Sequence, residues 1–306
     1  MLATEQDSNN PAALKHVDRR FTSMTLKSAP RWNAIATPHR CNVSTDRTYA
    51  GLVKVLLAIA LSACSAPANA KSCGAPTTAT APAGVREVHF TAGDSVTITA
   101  DVYAPLPATA PMIVLFHQAG FSRGEYRAIA PRLNKLGFNA IAVDARSGEA
   151  VNGVGNATAV SACKLGKPTA YVDAITDLKA AVAYARTQSA GKLIVWGSSY
   201  SSALVLVLGS ELGADAVISF SPGEYFEDQG KPKTWVADHA KALKVPVFVT
   251  SAKSETGDWA PIIAAIDPKL VTTFVPTSAG HHGSSALLQP DGDAYWAAVS
   301  AFLTKI

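Results

Sequence analysis

Charge is scarce in this chain. Of 306 residues, 16% are Asp, Glu, Lys or Arg, against 48% hydrophobic. Such a ratio excludes an intrinsically disordered chain, which could not bury enough apolar surface to fold. A basic excess is missing where it would count. Residues 1–70 hold eight Lys/Arg and four Asp/Glu, so the net charge of +4 resides there and residues 71–306 carry nineteen of each sign. Without a basic excess in the folded part, no nucleic-acid partner is expected. Four cysteines are too few for a disulfide scaffold. No period of 20–50 residues recurs, which excludes a solenoid. No Cys/His/Asp cluster completes a metal site around the His281-His282 pair, so no metal is expected.

The chain begins with a leader. Residues 1–50 are polar and aperiodic, and read as disordered or as an extension ahead of a true start near Val53 or Lys54. Residues 51–70 read as a signal peptide. Lys54 precedes the apolar run Val55–Ala63, which falls short of the roughly 20 residues that span a bilayer, and Ala68-Asn69-Ala70 forms an A-x-A cleavage site. Leu61-Ser62-Ala63-Cys64 also resembles a lipobox, so a lipid anchor at Cys64 is the alternative to soluble export. Cleavage after Ala70 would leave Cys73 and Cys163 as the only cysteines in an oxidising compartment, an even pair suited to one disulfide.

After a Pro/Thr/Ala spacer over 71–84, residues 85–306 alternate apolar runs with helical patterns. Val85–Phe90 and Val96–Tyr103 predict an antiparallel hairpin around Gly93-Asp94. Strands are then expected at Met112–Phe116, Phe138–Val143, Lys192–Trp196, Ala216–Phe220, Val245–Thr250 and Leu270–Val275. Helices are expected at Arg123–Leu136, Pro168–Gln188, Ser201–Leu212, Trp235–Leu243, Trp259–Ile266 and Ala294–Leu303, with an irregular loop over Ala145–Lys167. The pattern is that of one α/β domain: a mostly parallel, twisted sheet of about eight strands with helices on both faces.

The most informative stretch is Trp196-Gly197-Ser198-Ser199-Tyr200-Ser201, where a buried strand runs into a helix. A nucleophile on such an elbow needs small residues two before and two after it, because the backbone crowds there. Ser199 has Gly197 and Ser201 at those places, whereas Ser198 has Trp196 and Tyr200. The pentapeptide 197–201 resembles the nucleophile elbow of the α/β-hydrolase superfamily, with Ser201 in place of the usual glycine. Over roughly Val85–Ile306 the likeness is strongest to dienelactone-hydrolase-like serine hydrolases without a large cap domain.

That resemblance implies a catalytic triad in the order serine, acid, histidine, and no organic cofactor, because a serine, a histidine and a carboxylate suffice. The histidine would lie in Thr277–Gly283, with His282, followed by glycine, ahead of His281. The acid would follow the strand Val245–Thr250, with Glu255 ahead of Asp258 and Glu224. The oxyanion hole would use the backbone N–H of Tyr200 and a donor from the loop after Phe116, where Ala119 and Gln118 are the candidates and His117 orders the loop. Phe121 and Tyr225 are candidate pocket residues beside Tyr200. The expected function is an exported carboxylesterase, periplasmic or secreted, acting through an acyl-enzyme on small-molecule or exposed esters. The alternatives are an aminopeptidase-like enzyme on the same triad and a non-catalytic binding protein of this fold. Neither acyl nor alcohol preference is legible.

Overall fold

The computed structural model describes residues 73–75 and 80–306, all within one compact unit. The leader, its cleavage sites and Cys64 lie outside the described residues.

One eight-stranded sheet organises the domain. Strands β1 (Arg86–Thr91) and β2 (Thr97–Tyr103) form the antiparallel hairpin, and β2 pairs antiparallel with β4 (Asn139–Val143). β3 (Met112–Phe116) lies parallel between β4 and β7 (Leu193–Ser198). β8 (Ala216–Phe220), β9 (Val247–Thr250) and β10 (Val271–Phe274) continue in parallel. The spatial order is β1-β2-β4-β3-β7-β8-β9-β10. β3, β4, β7 and β8 are buried at every residue, which is why they read as continuous apolar runs.

Alternate residues of those strands feed two cores, one on each face, because successive strand side chains point to opposite sides. Val114, Val143, Val195 and Val217 pack with Leu178 and Val182 of α3 (Ile175–Gln188), Leu204 of α4 (Tyr200–Leu208), Val236 of α5 (Trp235–Ala240) and Ile262 of α6 (Thr256–Ile263). Leu115, Ile194, Trp196 and Ile218 pack on the other face with Leu133 of α1 (Ala130–Lys135) and with Trp296 and Phe302 of α7 (Gly292–Leu303). The path from β8 to β9 contains only a short 3₁₀ turn and α5, so there is no large cap there.

Three expectations need correction. The helix Arg123–Leu136 is instead a 3₁₀ turn, Arg123–Tyr126, followed by α1, which restarts with Pro131 in its first turn. Proline tolerates that place because it lacks the N–H a helix interior requires. The segment 145–167 is not structureless. It holds a hairpin of β5 (Ala150–Val151) and β6 (Val154–Gly155), then α2 (Ala157–Lys164). Asn152 and Gly153 both have positive φ, the backbone an Asn-Gly hairpin turn requires, and the Asn156 side chain caps α2 by accepting the Ala159 N–H at 2.8 Å. Finally, the helix expected from Pro168 starts only at Tyr171, because the Asp173 carboxylate accepts the Ala170 N–H and sets the start there.

Two buried arginines anchor the loops after β3 and β4. Arg123 bonds Asp101 at 3.0 Å and Asp144 at 2.7 Å, and Arg146 bonds Asp177 at 2.6 Å and Asp94 at 2.7 Å. Cys73 and Cys163 form a disulfide with their Cα atoms 5.8 Å apart, tying the start of the domain to α2.

Candidate active site

The loops that follow β3, β4, β7, β8, β9 and β10 leave the sheet at the carboxyl ends of parallel strands, the edge where open α/β sheets bind ligands. Ser199 sits between β7 and α4 with φ 57° and ψ −123°. An L-residue there is strained by roughly 1–3 kcal/mol, so the surroundings must hold it. They do so at three points. The Ser199 N–H donates to the Phe220 carbonyl at 2.8 Å. A Cβ at Gly197 would collide with the Ser201 carbonyl and the Ser202 backbone, so only glycine allows the approach. The Ser201 hydroxyl accepts the Ser198 N–H at 2.9 Å and lies 2.8 Å from the Phe116 carbonyl, so this serine adds a bond that a glycine could not make. Ser199 itself is 8% exposed.

His282 and Glu255 are brought together. The His282 Nδ1 lies 2.7 Å from Glu255 Oε1, so Nδ1–H donates to the carboxylate and the neutral ring keeps Nε2 free of a proton. This bond, working against burial, holds the His282 pKa above its usual value, with the charge of Glu125 adding to the effect. Burial opposes the charge on Glu255, yet hydrogen bonds with His282 and Ser221 hold its pKa below the usual value. The other candidates lie elsewhere. Asp258 is exposed on α6. Glu224 accepts the Val236 and Ala237 N–H groups at 2.8 and 2.9 Å, at the start of α5. His281 faces Asp291 at 3.5 Å.

Sequence reasoning missed Ser221. It stands at φ 57° immediately after β8, and its hydroxyl accepts the Gly283 N–H at 2.9 Å while bonding Glu255. It thereby links the acid loop to the histidine loop. No sequence signal beyond its place at a strand's carboxyl end could have singled it out.

The two N–H groups of the loop after β3 differ in what they meet. The Gln118 N–H is taken by Glu125 Oε2 at 2.9 Å, whereas the Ala119 N–H has no partner among the described residues. His117 orders the loop: Nδ1–H donates to the Gln118 carbonyl at 2.8 Å, and Nε2 accepts the Ala145 N–H at 3.0 Å. Burial pushes its pKa down to about 4, so the ring stays neutral.

Tyr225 lies beside the serine. Its hydroxyl donates to the Ser221 carbonyl at 2.8 Å, and burial pushes its pKa up against the opposing effect of the nearby Ser199. Phe121 is half-buried, and its backbone is held by Gln118 and Glu149. A cavity of about 310 Å³ next to the loop is lined by Gly120 but not by Phe121; the rest of its wall includes Ser147, Glu149, Thr169 and Tyr171. Tyr171 stacks on Tyr200 with ring centroids 4.6 Å apart, another contact invisible in the sequence. Among the described residues, no group of three or more His, Cys, Asp or Glu could hold a metal ion.

Comparison with known proteins agrees with this architecture. An esterase from Pyrococcus furiosus superposes with a TM-score of 0.53 at 18% identity, covering 72% of this chain and 92% of the esterase. A dienelactone hydrolase from Anabaena variabilis gives 0.52 at 16% identity, covering 72% and 98%. A 2,6-dihydroxy-pseudo-oxynicotine hydrolase gives 0.52 at 13% identity, covering 70% and 67%. These likenesses concern the fold. No curated protein matches the sequence. The sequence profile of the dienelactone hydrolase family, however, matches residues 98–263, more than half of the chain. The chain therefore belongs to the dienelactone hydrolase family, a hydrolase family, and adopts the α/β-hydrolase fold.

Proposed function

We propose that the protein is an exported serine carboxylesterase. The observation that carries the reading is the strained backbone of Ser199 at the strand-to-helix elbow, on the same sheet edge as the His282–Glu255 pair. His282 Nε2 removes the Ser199 proton as the hydroxyl oxygen attacks the ester carbonyl. Glu255 keeps the ring in the required tautomer and stabilises its protonated form. The N–H groups of Tyr200 and Ala119 receive the developing oxyanion. Collapse expels the alcohol, which takes the proton from His282, and water activated by the same base then releases the acid from the acyl-enzyme.

A site without a large cap suits small or exposed ester substrates. Export rests on the apolar run Val55–Ala63 followed by Ala68-Asn69-Ala70, and it agrees with a Cys73–Cys163 disulfide, a bond that persists in oxidising compartments. Mass spectrometry of the mature N-terminus separates cleavage after Ala70 from a lipidated Cys64.

The test is labelling with a fluorophosphonate, together with hydrolysis of p-nitrophenyl esters and aminoacyl-anilides. The proposal expects one adduct at Ser199, abolished in Ser199→Ala, and turnover of the esters. Turnover of anilides alone would replace it with a peptidase. Folded protein that neither labels nor hydrolyses would make it a binding protein.

A further inference from the structure

Glu125 is a carboxyl group 2% exposed, inside the site but with no part in the reaction just described. Burying an ionisable group is costly unless its oxygens are hydrogen-bonded, and both of these are. Oε2 accepts the Gln118 N–H from the loop after β3, and Oε1 accepts the Ser198 hydroxyl from the elbow, each at 2.9 Å. The Ser198 oxygen in turn accepts the Ser284 N–H, two residues beyond His282, at 2.8 Å. Three segments far apart in sequence thus meet at one buried side chain. They carry the candidate oxyanion donor, the nucleophile and the base.

The two arms have different consequences. Holding the Gln118 N–H turns that peptide toward the interior and leaves the next N–H, that of Ala119, as the unpartnered donor of the loop. Holding Ser198 fixes the residue directly before the nucleophile. The far side of Ser198 steadies the turn at Gly283, which stands at φ 69°. A Cβ at Gly283 would run into the Gln118 side chain, so the histidine loop and the oxyanion loop also touch there. The ionisable groups facing Glu125 are His282 from the histidine loop, Tyr200 from α4 and the adjacent Tyr126.

We infer that Glu125 is a positioning residue for ester hydrolysis: it sequesters the Gln118 N–H so that Ala119 serves the oxyanion, and it locks the nucleophile elbow to the histidine loop through Ser198. This inference rests on the reading of Ser199 as nucleophile. The brace does not require a charge. A protonated carboxyl group, or a glutamine amide, can accept the Gln118 N–H with its carbonyl oxygen and donate to the Ser198 oxygen with its other end. Alanine can do neither, and aspartate is one methylene too short to span both. Charge matters instead to His282, whose pKa an ionised Glu125 helps to raise.

The experiment compares wild type, Glu125→Gln, Glu125→Asp and Glu125→Ala on a p-nitrophenyl ester across pH. Losing one oxyanion donor costs about 10²–10³ in kcat, and a misaimed donor costs part of that. E125A is therefore expected to lose about 10- to 100-fold in kcat with KM within about threefold, because the donor acts in the transition state. E125D should fall between E125A and wild type. E125Q should keep kcat within about threefold, because the amide can make both bonds of the brace, so that the loss in E125A is rescued by the conservative variant. Should E125A not fold, Ser198→Ala, which leaves the Gln118 arm and removes the Ser198 bonds to both Glu125 and the Ser284 N–H, is expected to lower kcat by about 3- to 10-fold.

The inference is overturned if E125A keeps wild-type kcat, or if E125Q loses as much activity as E125A. A wild-type protein that folds yet neither labels at Ser199 nor turns over esters would instead sink the underlying reading, so the two failures are distinct.

Discussion

Replacing Glu125 by glutamine should change how stability depends on pH, by an amount that follows from its burial. Burial pushes the Glu125 carboxyl from 4.5 up to about 7, against the opposing effects of the Gln118 N–H, the Ser198 hydroxyl and the charge of His282. An unfolded chain releases this proton near 4.5, whereas the folded chain keeps it until about 7. Within that window the unfolded state binds fewer protons, so the stability contributed by this group falls as pH rises. It is fully present below 4.5 and lost above 7. At about 1.4 kcal/mol per unit, the loss amounts to about 3 kcal/mol.

Glutamine has nearly the same shape and no titration. The stability difference between E125Q and wild type should therefore move in favour of the variant by about 3 kcal/mol from pH 4.5 to pH 8, equivalent to about 6–12 °C in Tm for a domain of this size. Asp144, raised to about 6, and His117, lowered to about 4, titrate in both proteins and cancel from the difference. Urea midpoints and m-values measured in parallel at several pH values provide the assay. Parallel pH–stability curves for the two proteins would refute the reasoning, because Glu125 would then titrate as it does in the unfolded chain.

Further perturbations test the rest of the site and its supports. Ser199→Ala should cut ester turnover by about 10⁴–10⁶-fold while leaving the far-UV circular dichroism unchanged, since the proposed mechanism makes its hydroxyl oxygen the attacking atom. Glu255→Gln should lower kcat by about 10³–10⁴-fold and shift the remaining acid limb to lower pH, because the carboxylate is the main cause of the raised His282 pKa; an unmoved limb would separate the two residues functionally. Arg123→Met should cost about 3–5 kcal/mol in urea unfolding, because it strands Asp101 and Asp144 as buried unpaired carboxylates. Cys163→Ser opens a crosslink spanning 90 residues and should lower stability by up to about 4–5 kcal/mol on the chain-entropy account. Equal thermal midpoints with and without a reductant would count against that bridge in solution.

Some features follow from local rules. A strand covered on both faces is apolar at nearly every position, so Met112–Phe116 and Ala216–Phe220, with Ser219 the one polar residue, were legible to the residue. Crowding at a strand-to-helix elbow demands small neighbours, so Ser199 stood out from Ser198 and Ser201, and Gly197 meets that demand by steric necessity. The 145–167 segment was misread although Asn152-Gly153 carried the hairpin signal. Its strands are two residues long and α2 has eight residues, too short for a periodicity to emerge.

The sequence by itself determined the layered α/β architecture and singled out the serine at its elbow, because each depends on side-chain volume, hydrophobic period or turn chemistry within a few neighbours, whereas the neighbourhood of the histidine came from the family resemblance. Only the tertiary structure decided which carboxylate meets His282, which N–H of the loop after β3 is left free, and that Ser221 and Glu125 belong to the site at all. Such pairings depend on where separate strands end in space. Position in the loop after the strand put Glu255 ahead of Asp258 and Glu224, but only folding makes it the partner of the imidazole, Glu224 a helix cap and Asp258 an exposed carboxylate.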